Sequence, residues 1–558
     1  MGPSGMRASA SARFGFANGR RAVELIAFAA IAALIATLMS GAFAAQNVRA
    51  QDDPPSGGVF SYAPNFEPDT LDPHVSAGSS SFVVINSAIE TLLFLNPDDN
   101  QFYPYLAESW EVSDDGTTYT FNLRDDVTFH DGTPFNAEAV KFNLDRIVDP
   151  ETAAPYATTN LGSYVGTTLI DDHTVEVQLE SPYPPLLVGL SQTSAGMISP
   201  TAAAELGPEG LAVEPVGTGF MRFESFVPKE KITFVRNEDY DWAPEVWGHS
   251  GPAYLDGLEF QIIPEPAARV TALESGTVLG IEDTPAQDVL RLQDDENFTL
   301  VQGNLPGAPR TFFMNTERAP LDDINVRKAL LHGLNIEQVV QLATFGIQPY
   351  AKGAFAEATA FYNAAAAKEA NYPYDPDLAG QLLDEAGWTM GSDGIRVNDA
   401  GEPLVLTAIG FPVFEALYTA TQALMREIGV DVDVQIIDVG AAVEANQRGD
   451  HHLAMTGVVG ADPSIIALLY HSRNYDGFAF SRWQDPAFDR LWDDAAASSD
   501  LDVRAQLYGE AQQYIMDNAL SIPEQEIVRL NFVDSNVNNV RADASGIYLL
   551  LYDTFIDG

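Results

Sequence analysis

No cysteine occurs in the 558 residues, which excludes disulfides, thiolate metal sites, a cysteine nucleophile and a lipid-modified N-terminal cysteine together. Positive charge is also scarce: 29 Lys and Arg stand against 79 Asp and Glu, a net charge of −50. A surface of that sign repels nucleic acid and anionic lipid and excludes both as partners. Only six of the basic residues are lysine, which suits an acidic face adapted to a salty medium. Two hydrolase signatures are missing as well, the G-x-S-x-G of serine enzymes and the H-E-x-x-H of zinc peptidases. With so many acids a carboxylate pair arises by chance, so the acids themselves carry no argument for glycosidase chemistry.

What is present starts with an export signal. Arg7, Arg13, Arg20 and Arg21 precede a run from Ala22 to Ala45 that carries one charge, Glu24, and ends in small residues. Residues 1–50 therefore read as a secretory signal peptide, with cleavage after Ala44 or Ala50. The run is also long enough to span a bilayer as an uncleaved anchor, and Arg20-Arg21 would permit a twin-arginine signal. Residues 1–50 carry five arginines and one glutamate, so the chain beyond them holds 24 basic against 78 acidic groups, a net −54. Its length suggests two to four domains, and 46% hydrophobic residues supply ample core.

The segment "YTFNLRDDVTFHDGTPFNAEAVKFNLDRI" (119–147) packs much local structure into 29 residues. Tyr119, Phe121 and Leu123 alternate with polar neighbours as a strand with one buried face does, and Asp115-Gly116 supplies the hairpin turn before it. A second turn at Asp131-Gly132 leads to a helix with Asn136 as N-cap, Glu138 in its first turn, and Phe135 and Val140 at staple spacing. His130 and Asp131 read as turn-formers rather than a catalytic pair. Further on, Asp375 and Pro376 open a helix, and an amphipathic helix stopped at Gly429 leads into a strand carrying Val430, Val432, Val434 and Ile436. Helix-then-strand units predict α/β architecture. There is no short internal repeat and no long linker.

Six collinear blocks carry a resemblance: "EPDTLDPH" (67–74), the block 104–147, "GPAYLDGLEFQIIPEPAARVTALESG" (251–276), "FFMNTERAPLDDINVRKAL" (312–330), "YPYDPDLAGQLLDEAGW" (372–388) and "DPAFDRLW" (485–492). Together they resemble the family 5 extracellular solute-binding proteins, the dipeptide, oligopeptide and nickel receptors of ATP-driven (ABC) importers. The resemblance implies an α/β, three-lobed periplasmic binding protein of the type II (cluster C) kind, with two main lobes joined by a hinge and an extra inserted lobe. Lobe I would take 51–86, 201–304 and 531–558, lobe II 87–200, and lobe III 305–530. It further implies a monomeric receptor, periplasmic or at the cell surface, that closes on a small-molecule or peptide ligand between lobes I and III and docks on membrane permease subunits. No cofactor, metal or covalent chemistry is implied.

In peptide-binding members an acid after a third-lobe strand holds the ligand's amino terminus, and "AMTGVVGADPSII" (454–466) resembles that loop, making Asp462 the candidate; an Asp before Pro463 is equally what a turn prefers. Dipeptide-specific members also carry an arginine before the preceding helix, whereas the matching stretch here, "LTAIGFPVFEAL" (406–417), has none. Arg448, Arg473 and Arg482 are the candidates to replace it. Phe220, standing where the family has proline, and Tyr62, Tyr470 and Tyr475 either face the ligand or pack in the lobes. Of these, Asp462, Tyr62, Phe220, Arg473 and Tyr475 form the expected ligand-binding set. Rival ligands are a nickel chelate, for which His451-His452 and His471 are the only clustered histidines, and an oligosaccharide, for which the six tryptophans are few.

Overall fold

The computed structural model describes residues 54–76, 78–154 and 157–557. The signal segment 1–50, with its cleavage points and the alternative anchor, lies outside them. The described residues from 55 to 557 are built on three larger sheets, with four two-stranded ones beside them. The first has seven strands in the order Phe298–Asn304, Val528–Asp534, Gly280–Ile281, Val59–Ala63, Gly257–Gln261, Lys231–Arg236 and Met221–Val227. A second, of five strands, runs Asp431–Ile436, Val405–Gly410, Leu453–Val459, Gly307–Met314 and Ser521–Gln525. The third is an antiparallel sheet in the order Ala107–Val112, Thr118–Leu123, Thr174–Leu179 and Tyr164–Asp171. Among the described residues no helix is long and apolar enough to cross a membrane.

The local signals of the sequence act as elementary stereochemistry requires. In the four-stranded sheet Tyr119, Phe121 and Leu123 face inward beside Val175, Val177 and Leu179, all buried, while polar residues between them face out. The helix Ala137–Val148 starts where Asn136 accepts from the Ala139 amide at 3.0 Å, satisfying one of its orphan N–H groups. We expect Asn136→Ala to lower stability by about 1 kcal/mol, read as a shift of the urea midpoint without a change in slope. His130 and Asp131 are structural. The His130 ring places Nε2 2.9 Å from the Gly219 carbonyl, burial pulls its pKa down to about 4, and Asp131 accepts from the Thr133 amide and hydroxyl.

The first and third sheets share one continuous apolar core that includes Phe60, Phe121, Leu144, Phe220 and Tyr552. The five-stranded sheet has its own, built around Phe313, Leu330, Tyr418, Trp492 and Tyr508. Asp375 caps the helix Pro376–Glu385, and Gly429, at φ +83°, ends the run after Glu415–Met425 and turns the chain into Asp431–Ile436. Separate cores beneath separate sheets leave the connection between them as the place where the molecule can bend.

Candidate functional site

The chain passes from the seven-stranded to the five-stranded sheet at Leu305-Pro306 and returns at Glu526-Ile527. These two crossings lie side by side, the Leu305 amide donating to the Ile527 carbonyl at 3.0 Å. Gly307, at φ +125°, opens the outgoing strand, where an added Cβ would lie 2.1 Å from the Val458 carbonyl. Both sheets contain parallel strands. Val59–Ala63 runs parallel to Gly257–Gln261 and Gly280–Ile281, and Val405–Gly410 runs parallel to Asp431–Ile436 and Leu453–Val459. In such sheets ligands bind outside the carboxyl ends of the strands, which here lead into 64–66 and 282–284 on one side and 411–414 and 460–462 on the other.

On the first side the polar groups are paired. Glu282, buried, accepts from Arg529 and from the Asn65 amide at 2.9 Å, and Arg529 also donates to Ser79 at 3.1 Å. Phe66, 67% exposed, is the apolar group in that loop. On the second side Asp462 is paired with Arg504, whereas Arg310 has no hydrogen bond or ion pair among the described residues. Arg310 sits at a β-bulge, where Pro309 and Arg310 together oppose Gly457, and its guanidinium carbon lies 4.8 Å from the centroid of the Phe414 ring. Phe411 packs against Phe414 at 4.7 Å. Burial lowers the Arg310 pKa below the usual arginine value. The return strand carries Glu524, whose Oε1 accepts from the Thr421 hydroxyl at 2.7 Å while Oε2 has no partner among the described residues, and burial raises its pKa to about 8. Glu526 is likewise raised to about 7.

The expected set is spread over several places. Asp462 lines a cavity of about 300 Å³ with Tyr183, Gln192, Val459 and Ile465. Both its oxygens accept from Arg504 Nη2, at 2.9 and 2.7 Å, and Oδ1 also accepts from the Ser464 amide. Tyr62, 2% exposed, is packed against Phe60 and Phe260 in the core of the seven-stranded sheet. Phe220, 4% exposed, belongs to an aromatic cluster with Tyr240, Trp247 and Tyr552. Arg473 pairs with Asp493 at 3.0 Å. The Tyr475 hydroxyl donates to Glu317, and Arg482 lies 3.9 Å over its ring while pairing with the same Glu317. Arg448 pairs with Asp450. Of the clustered histidines, His451 and His452 are buried against the carbonyls of Phe480 and Ala319, and His471 lies beside Asp489 and Asp493. Among the described residues no three His, Asp or Glu side chains converge as a metal site.

Arg310, Phe414, Glu524 and Glu526 were not among the sequence candidates. Their one signal is charge out of place: an arginine in the apolar strand "GAPRTFFM" and two acids in "SIPEQEI". Comparison with known proteins gives the following. Residues 101–479 match the profile of the bacterial extracellular solute-binding proteins, family 5 Middle. The chain is similar to the dipeptide-binding protein of Escherichia coli K12, 28% identical over 81% of this chain and 85% of that one. It is equally similar, at 28%, to the glutathione-binding protein GsiB of Shigella flexneri, over 90% of this chain and 93% of that one. Among solved structures it resembles NikA of Brucella suis in complex with Fe(III)-EDTA, with a TM-score of 0.74 and 25% identity over 90% of this chain and all of that one.

Proposed function

We propose, from the premise that this chain belongs to the family 5 bacterial extracellular solute-binding proteins, that it captures short peptides and delivers them to an ABC importer. Members of the family are periplasmic or extracellular receptors that bind small ligands and work with transporter permeases; they are not an enzyme class. The observation that carries the reading is the pair of adjacent crossings at Leu305-Pro306 and Glu526-Ile527, which joins two sheets at the carboxyl ends of their parallel strands. Bending there would bring 64–66 and 282–284 toward 411–414 and 460–462, and a ligand touching both sides would favour the closed form. The proposed lobes are those implied by the resemblance, the first from 51–86, 201–304 and 531–558, the second from 87–200 and the third from 305–530.

The choice of peptide as ligand is supported by the dipeptide- and glutathione-binding relatives, each 28% identical over most of the chain. A peptide held in strand fashion is recognised through its backbone, so the residue substitutions in this chain's loops do not by themselves forbid it. The test is mass spectrometry of small molecules released from the purified mature protein, followed by calorimetric titration of what is found. Short peptides bound one to one without turnover are the expected result. Release of a metal chelate or a sugar, with no peptide bound on titration, would overturn the peptide reading and leave the receptor assignment standing.

A further inference from the structure

We infer that Arg310 is the anchoring site for an oxyanion of the ligand, a carboxylate or a phosphate, whose apolar remainder lies against Phe411, Pro412 and Val413. This rests on the receptor reading above and names the chemical class that the site takes.

Three observations carry it. First, among the described residues Arg310 is the only arginine that is not exposed and yet makes neither a hydrogen bond nor an ion pair. Every other buried or half-buried arginine has acceptors: Arg146 has Asp72, Arg269 and Arg327 have backbone carbonyls, and Arg396, Arg504 and Arg529 have carboxylates. A guanidinium offers five N–H donors, and leaving them unmatched in a partly desolvated place is unfavourable unless something outside the chain accepts from them. Second, the guanidinium carbon lies 4.8 Å over the Phe414 ring, a cation–π contact that positions the charge and uses none of its N–H donors, which a bidentate acceptor can take. Third, the placement is that of a ligand site. Arg310 is three residues past Gly307 at the hinge crossing and lies on a bulge, a distortion that re-aims a side chain. Its aromatic neighbour belongs to the loop at the carboxyl end of a parallel strand. That loop supplies apolar surface, with Val413 68% exposed. The nearby acids do not compete for the cation, since Glu524 is held by Thr421 and Glu526 accepts from the Glu357 amide.

The experiment uses the mature protein freed of bound ligand by unfolding and refolding, as wild type, Arg310→Gln and Arg310→Lys. In one arm, thermal unfolding is followed in sodium acetate, sodium phosphate and sodium chloride at matched ionic strength. We expect acetate or phosphate to raise the wild-type midpoint by about 2 °C or more above chloride, Arg310→Gln to show no such increment, and Arg310→Lys to fall between. Whichever anion acts more strongly identifies carboxylate or phosphate as the group recognised. In the other arm, a tripeptide and its C-terminal amide are titrated. Amidation is expected to weaken binding to wild type by roughly thirtyfold or more and to Arg310→Gln by no more than about threefold. Tripeptide binding that ignores both amidation and Arg310, with anion effects equal in all three proteins, overturns the Arg310 site and leaves the peptide reading intact. Anion effects that follow Arg310 while no peptide binds do the reverse. Failure of every response to depend on Arg310 overturns the site whatever the ligand.

Discussion

Asp462→Ala is expected to lower stability by about 3–5 kcal/mol, because it strands the Arg504 guanidinium in the core. Arg504 is 5% exposed and lies 5.6 and 5.5 Å from the rings of Phe361 and Tyr508. It also donates from Nε to the Ala495 carbonyl at 3.2 Å. Without the carboxylate, Nη2 loses both of its acceptors at once. Arg504→Met should destabilise by a similar amount from the other side, since it leaves the Asp462 carboxylate 9% exposed and unpaired. The double variant Asp462→Leu/Arg504→Met should recover most of the loss, as replacing both members of a buried pair by apolar groups is often neutral. Urea unfolding followed by tryptophan fluorescence reads this directly, because Trp492 packs on Tyr508 and Tyr470 in the same core. A contrary result is equally informative. If Asp462→Ala leaves the midpoint unmoved but weakens a bound peptide, the carboxylate serves the ligand and the Arg504 contact is incidental.

The Asp462 case also explains which features could be read from the sequence. Asn136, Asp375 and Gly429 act within three or four residues of themselves, so their roles follow from backbone geometry alone. The alternation of Tyr119, Phe121 and Leu123 is likewise local. Asp462 has a local role too, capping the short turn at Pro463–Ile466 through the Ser464 amide. Its second role depends on Arg504, 42 residues later in the helix Leu501–Asp517, and no spacing in the chain announces that meeting. Arg310 is the complementary case. An arginine in an apolar strand is visible, but whether a carboxylate waits for it depends on which strands flank it. Here Gln525 and Gly457 do, and neither carries charge. The overall α/β plan was legible because helix-then-strand units and collinear blocks repeat information over hundreds of residues. The site was not, because it is made where the ends of several distant strands meet.

The pH dependence of stability should expose the other out-of-place charge. Glu524 is wholly buried, and its pKa rises from about 4.5 in the unfolded chain to about 8 in the fold. Between those values the folded protein keeps a proton that the unfolded chain has released, so stability falls as pH rises from about 4.5 to 8 and levels off above. Full ionisation at this one position amounts to a penalty on the order of 5 kcal/mol. Glu524→Gln retains an acceptor for the Thr421 hydroxyl and cannot ionise. It should therefore match wild type near pH 4.5 and exceed it by several kcal/mol near pH 8. Glu526 and Glu90, both raised by burial to about 7, impose slopes of the same sign on both proteins. The difference between wild type and variant, measured as unfolding midpoints at pH 5, 6.5 and 8, isolates Glu524 from them. A difference that does not change with pH would mean that the carboxyl is solvated and ionised in the fold. The expected result instead keeps the two acids of the return crossing uncharged over much of the acidic and neutral range, in a chain whose residues beyond 50 carry a net −54. On the proposed closure, a crossing strand that holds its protons would be covered without burying further charge, and Arg310 would be the charge at the crossing for which the inferred oxyanion supplies the counterpart.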